Sequence, residues 1–116
     1  MREADLQKQT LEWFSLQRDC FAIRINTQGV PLHGRDGYRP SPMRGVADIL
    51  ACIKGRFLAI ELKSDRGRLS KDQRFFLERV QIAGGFAMEA RSLDEIIDMV
   101  ELIRETTRLS VPVHAD

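Results

Sequence analysis

Residues 47–63 read Ala47-Asp48-Ile49-Leu50-Ala51-Cys52-Ile53-Lys54-Gly55-Arg56-Phe57-Leu58-Ala59-Ile60-Glu61-Leu62-Lys63. Two apolar, β-rich runs flank Lys54-Gly55, the composition of a tight antiparallel hairpin in which the glycine supplies a positive φ. Such a turn pairs Ile53 with Arg56 and Ile49 with Ile60, and it sets Asp48 directly opposite Glu61. Ile49, Ala51, Ile53, Leu58, Ile60 and Leu62 then form one wholly apolar face. The other face carries both acids at one end, with Lys63 two residues beyond Glu61 and so on the same side. A turn longer by one residue would shift the pairing and separate the acids onto opposite faces.

Directly opposed residues have Cβ atoms about 5 Å apart, where two unit charges repel by roughly 3 kcal/mol at an effective dielectric near 20. Each acid alone reads as an ordinary surface residue or half of a salt bridge with Lys63. Together they form an oxygen-rich, net negative pocket, and hard oxygen ligands suit Mg2+ or Mn2+.

Outward from the hairpin, residues 69–83 repeat apolar positions at helical spacing, begin with Ser70-Lys71-Asp72-Gln73 and end at Gly84-Gly85, a glycine C-cap. Residues 85–91 read as a strand. Strand, helix and strand in that order predict a crossover that leaves the two strands parallel. Ser92-Leu93-Asp94-Glu95 is a capping box that opens a last helix running to about residue 108. Upstream, residues 3–18 place Leu6, Thr10, Trp13, Phe14 and Gln17 on one helical stripe, with Glu3 on the stripe and Glu12 opposite it. Residues 20–26 alternate, Phe21, Ile23 and Ile25 against Ala22, Arg24 and Asn26, as in a half-buried strand. Residues 27–45, rich in Gly and Pro, read as a long loop. The expected class is α/β, in the order α-β-β-β-α-β, with a mixed sheet plus a C-terminal helix. One domain is expected over residues 1–108, with a tail at 109–116.

The chain has 116 residues, and its 18 Lys+Arg against 17 Asp+Glu give a formal charge of +1, so any basic surface is local. That length holds one core. No apolar run approaches the roughly 20 residues of a membrane span, and Met1-Arg2-Glu3-Ala4-Asp5 lacks the layout of a signal peptide, so a cytoplasmic protein is expected. Cys20 and Cys52 show no CxxC or Cys/His spacing, which argues for buried free thiols. Charge is polarised: about +3 over residues 24–47, about +3 over residues 63–74 and about −4 over residues 89–105.

Gly45-Val46-Ala47-Asp48, then Phe57-Leu58-Ala59-Ile60-Glu61-Leu62-Lys63, then Gly67-Arg68-Leu69-Ser70-Lys71-Asp72-Gln73 resemble the VRR-NUC branch of the PD-(D/E)xK nuclease superfamily, over residues from about 3 to 98. The resemblance implies a restriction-endonuclease-like fold and a metal-dependent phosphodiesterase. Asp48, Glu61 and the main-chain carbonyl of Leu62 would hold Mg2+ or Mn2+. Lys63 would orient the attacking water and offset charge on the phosphorane. Glu3 matches the family's helical glutamate, and Gln73 its helical glutamine, although Gln73 also stands at the N3 position of a capping box. Ala47 occupies a position that is usually proline in the family.

Arg24, Arg35, Arg39, Arg44, Arg66, Arg68 and Lys71 flank this site and are expected to contact DNA phosphates, which position a duplex without reading its sequence. Stand-alone members of the family resemble Holliday-junction resolvases. The expectation is therefore a structure-specific endonuclease on branched DNA, acting as a homodimer, with no membrane and no small-molecule cofactor. The alternatives are a nicking, flap or restriction-like nuclease, and a nucleic-acid-binding module of the same fold without turnover.

Overall fold

In the computed structural model, residues 1–25, 30–31, 38–39 and 44–109 are described, with the backbone alone described at 30–31 and 38–39. Helix α1 (Glu3–Ser15) leads into strand β1 (Cys20–Arg24). Two short strands, β2 (Val30–Pro31) and β3 (Tyr38–Arg39), pair antiparallel within the stretch expected to be loop. There follow β4 (Ile49–Ile53), β5 (Arg56–Leu62), α2 (Lys71–Ile82), β6 (Phe86–Ala90) and α3 (Leu93–Leu109).

The hairpin has the register expected of its turn. Ile49 pairs with Ile60 and Ile53 with Arg56. Lys54 at φ 49° and Gly55 at φ 84° both enter the left-handed region, the conformation whose twist matches that of the flanking strands. The main sheet runs β1-β4-β5-β6, antiparallel except for β5 and β6, which lie parallel on either side of α2. The protein is thus α/β, with a four-stranded mixed sheet and three helices among the described residues.

The apolar hairpin face is the main core. Ile49, Ala51, Ile53, Leu58, Ile60 and Leu62 meet Leu6 and Phe14 of α1 and Ile96, Val100 and Ile103 of α3, all buried. Fully burying each large aliphatic side chain is worth about 1.5–3 kcal/mol, so this seam dominates the stability. Arg104 of α3 fastens the turn between α1 and β1, donating to both Asp19 oxygens at 2.7 and 2.8 Å and to Gln17 Oε1 at 3.0 Å. These bonds hold the Asp19 carboxyl well below the usual carboxylate range, so the clamp is lost only in strong acid. Burial pushes the neighbouring Cys20 thiol up to about 11.

Helix α2 covers the second face mainly over β5 and β6, its Leu77 packing with Ala47 and Ala59 and the cluster reaching Leu50 of β4. The main core decides the orientation of β1. Its register places Cys20 and Ala22 with Ile53 and Ala51 on the main core, so the side bearing Phe21 and Ile23 faces out. Phe21 is 70% exposed. Alternation marks the two sides of this strand, and packing decides between them: among the described residues no helix covers the half of the second face over β1, and small residues sit where α1 approaches β1. Cys52 lies on the same uncovered side and is exposed rather than buried.

Gly45 joins the hairpin to α2. It has φ +78°, and a Cβ there would stand 2.3 Å from the Asp72 carbonyl oxygen. Gly45→Ala is therefore expected to destabilise the protein by about 3 kcal/mol or more, through strain and overlap together. The measurement is the urea midpoint at unchanged slope; a midpoint equal to the parent's would refute the close approach.

Candidate metal and phosphodiester site

Asp48 precedes β4 and Glu61 is the next-to-last residue of β5, so continuing the ladder beyond Ile49 and Ile60 sets them opposite each other. Asp48 is held from both sides. Its carbonyl accepts from Ile25 N–H at 2.9 Å, and its Oδ2 accepts from Leu62 N–H at 2.8 Å. Lys63 N–H donates to Ala90 O on β6. Across a trans peptide the Leu62 carbonyl points the opposite way, toward Asp48. The two carboxyl groups thus meet at the end of the hairpin, and the Leu62 carbonyl lies on the side of β5 away from β6.

Glu61 is 2% exposed. Its Oε1 accepts from Gln73 Nε2 at 3.2 Å, and its Oε2 is buried with no hydrogen-bond partner among the described residues. Burial first, and the adjacent Asp48 carboxyl second, push the Glu61 carboxyl up to about 9, against the pull of the Lys63 ammonium. Without a cation the pair therefore holds a proton at neutral pH. A buried acidic oxygen without a donor among the described residues, beside a second acid, fits a divalent cation in size and in ligand hardness.

Lys63 is half-buried, and its stem packs across Gly67, where a Cβ would stand 3.2 Å from Lys63 Cδ. Glu3 is exposed on the first turn of α1. The Met1 ammonium meets Asp65 at 3.7 Å, which brings this turn to the end of β5, and the Glu3 charge adds a small upward push on Glu61. Among the described residues no group of three or more His, Cys, Asp or Glu side chains is arranged to hold a metal ion, so Glu3 acts on the carboxyl pair from a distance.

Gln73 makes both of the contacts considered for it. Its Oε1 accepts from Ser70 N–H at 2.9 Å while Ser70 Oγ accepts from Gln73 N–H at 3.1 Å, a complete capping box, and its Nε2 remains for Glu61. Gln73→Ala is expected to cost about 1 kcal/mol as a lost cap and to weaken Mn2+ binding about tenfold or more. Ser70→Ala removes the other half of the cap and leaves the Gln73 amide to hold Glu61. Thermal melts and Mn2+ calorimetry of this variant should therefore show stability lost and affinity kept; an equal loss of affinity would reduce Gln73 to a cap.

Of the expected phosphate contacts, Arg66, Arg68 and Lys71 are exposed, the first two on the segment between β5 and α2 and the third as the first residue of α2. Arg44 is exposed and pairs with Asp72 at 3.8 Å. Arg24 shares a sheet face with its register partner Ile49, on the side opposite Asp48. Arg35 and the side chain of Arg39 lie outside the described residues.

Arg91 carries no motif and was not anticipated. Its guanidinium donates to the carbonyls of Ser64 and of Gly67, the latter at 2.7 Å, and so ties the segment after Lys63 to the end of β6. The only sequence hint was an arginine immediately after a strand. The capping box expected at Ser92 is half made. Ser92 Oγ accepts from Glu95 N–H at 3.3 Å, whereas the Glu95 carboxylate reaches past Ser92 to Arg91 N–H at 2.6 Å. No helix among the described residues is long and apolar enough to cross a membrane. In comparison with known proteins, no family model and no curated sequence matches this chain.

Proposed function

We propose that the protein is a Mg2+- or Mn2+-dependent endodeoxyribonuclease with a restriction-endonuclease-like core, similar to the VRR-NUC branch. In this reading it hydrolyses phosphodiester bonds at branched DNA, foremost a four-way junction, as a homodimer with one site for each strand cut. The observation that supports it best is the buried pair: Glu61 Oε2, without a partner among the described residues, beside the Asp48 carboxyl. A binding module gains nothing from two opposed acids beside a phosphate.

Asp48, Glu61 and the Leu62 carbonyl would hold the ion, which when bound supplies Lewis acidity and a nucleophile at neutral pH. Gln73 orients the Glu61 carboxylate. The Lys63 ammonium, close enough to pull on Glu61, offsets the negative charge that grows on the phosphate in the transition state. Arg66, Arg68 and Lys71 position the strand through its phosphates.

A labelled four-way junction, with linear duplex as control, tests the reading. Paired, metal-dependent nicks across the junction are expected, together with a dimer in sedimentation. Metal-dependent cutting without junction preference would keep the nuclease and remove the resolvase. Tight binding with no cutting would leave a binding module.

A further inference from the structure

Beside the carboxyl pair lies a cavity of about 250 Å³ lined by Arg68, Leu69, Arg74, Glu89 and Arg91. Its walls come from three segments: the residues before α2, the start of α2, and the end of β6. Arg91 is fastened by the two carbonyls that it holds, and it also meets Glu89 Oε2 at 3.3 Å. That pairing neutralises the one acid that the described residues bring to the wall. The guanidinium groups of Arg68 and Arg74 make no hydrogen bond or ion pair with any described residue, and both side chains are exposed.

Two guanidinium groups without a partner among the described residues thus line one recess, in which Leu69 is the only apolar lining residue among those described. Packing does not account for such an arrangement, because like charges held around a concave surface repel and focus a positive potential into it. An anion relieves that repulsion. The planar fork of arginine matches the oxygens of a phosphate, and Arg91, already immobilised, gives the recess a rigid wall.

The position narrows the ligand further. Glu89 is the register partner of Glu61 on the adjacent parallel strand, about 4.8 Å away between backbones, and Arg74 directly follows Gln73, whose amide holds Glu61. The recess therefore lies one strand across from Glu61, with Glu89 on the same sheet face, so that one nucleic-acid strand can reach both places. Neither Arg74 nor Arg91 was among the residues expected from sequence to meet DNA.

We propose that this cavity is a phosphate subsite, formed by Arg68, Arg74 and Arg91, that takes the phosphate of a nucleic-acid strand next to the one held at Asp48 and Glu61. The identity of the strand rests on the nuclease reading; the capacity to bind phosphate does not. Occupying both places at once sets the direction in which the strand crosses the site and fixes the cut relative to a neighbouring phosphate.

Metal-free, 15N-labelled protein titrated with inorganic phosphate, read at the arginine Nε–Hε signals, tests the subsite. Saturable shifts are expected at Arg68, Arg74 and Arg91. Affinity should fall at least about tenfold when Arg68→Ala and Arg74→Ala are combined, the loss of charged hydrogen bonds, and stay unchanged in the distant control Lys8→Ala. Both arginines are exposed, so the double variant is expected to remain folded. Short strands ending in a 5′-phosphate or a 5′-hydroxyl then separate the two sources of the group. Equal affinity assigns an internal diester, and a preference for the phosphorylated end assigns a terminal monoester. Shifts spread over all exposed arginines without saturation would overturn the proposal. A flat titration in a protein that still cuts DNA removes the subsite and leaves the nuclease, whereas saturation in a protein that cuts no DNA leaves the subsite alone.

Discussion

Asp48→Asn is expected to reduce metal-dependent cleavage of a four-way junction on the order of 10³-fold or more, at least the cost of removing one donor from an oxyanion hole. The substitution spares the fold for a specific reason. The asparagine Oδ1 can still accept from Leu62 N–H, the 2.8 Å bond that ties residue 48 to β5. What disappears is an anionic ligand, and with it the charge that opposes ionisation of Glu61. Thermal stability should therefore hold or rise while activity is lost. Junction affinity should be kept or tightened, because a negative charge beside a phosphate has been removed. Full activity in a folded Asp48→Asn protein would end the assignment of this residue as a ligand.

The second large effect is on stability against pH, measured in chelator so that no cation occupies the pair. The Glu61 carboxyl titrates near 9 in the folded protein against an ordinary value of 4.5. The folded state thus keeps a proton that the unfolded chain releases. Its contribution is complete below about pH 4.5 and falls as pH rises toward 9, at up to about 1.4 kcal/mol per pH unit. Glutamine cannot ionise. Between pH 5 and pH 8 the metal-free Glu61→Gln protein should gain on the order of 4 kcal/mol relative to the parent. Urea denaturation at several pH values reads this difference directly, and parallel profiles for the two proteins would contradict the buried, proton-holding pair. Calorimetry should also show weaker Mn2+ binding in the variant. For the parent, binding should release close to one proton near neutral pH and tighten as pH rises.

The same carboxyl pair shows how far local sequence reaches. Lys54-Gly55 selects a two-residue turn with positive φ at both positions, and a period of two then dictates every pairing from Ile53 with Arg56 to Ile49 with Ile60. The start and end of α2 are equally local: a Ser70 side chain that accepts from Gln73 N–H, and Gly84 at φ +95°. Such features depend on residues a few positions apart, whose conformational preferences act before any tertiary contact forms. The parallel placement of β5 and β6 follows from the helix that joins them.

Burial is a different kind of quantity, because it depends on which element arrives from elsewhere in the chain. Alternation in β1 divides Phe21 and Ile23 from Ala22, but which set is covered was decided by α1 and α3 packing on the side of Cys20 and Ala22. Glu61 and Gln73 were legible as candidates. That Glu61 is 2% exposed, and that one glutamine both caps α2 and holds that carboxyl, required α2 to dock against Ala47 and Ala59 through Leu77. The Arg91 clamp joins residues 24 and 27 positions apart and leaves no periodic trace. By itself, then, the sequence determined the helices, the hairpin register and the opposition of the two acids, all set by turn chemistry and side-chain period. Only the tertiary structure decided which acid loses its water, what orients it and where the free arginines gather, because desolvation and charge proximity are properties of packed surfaces.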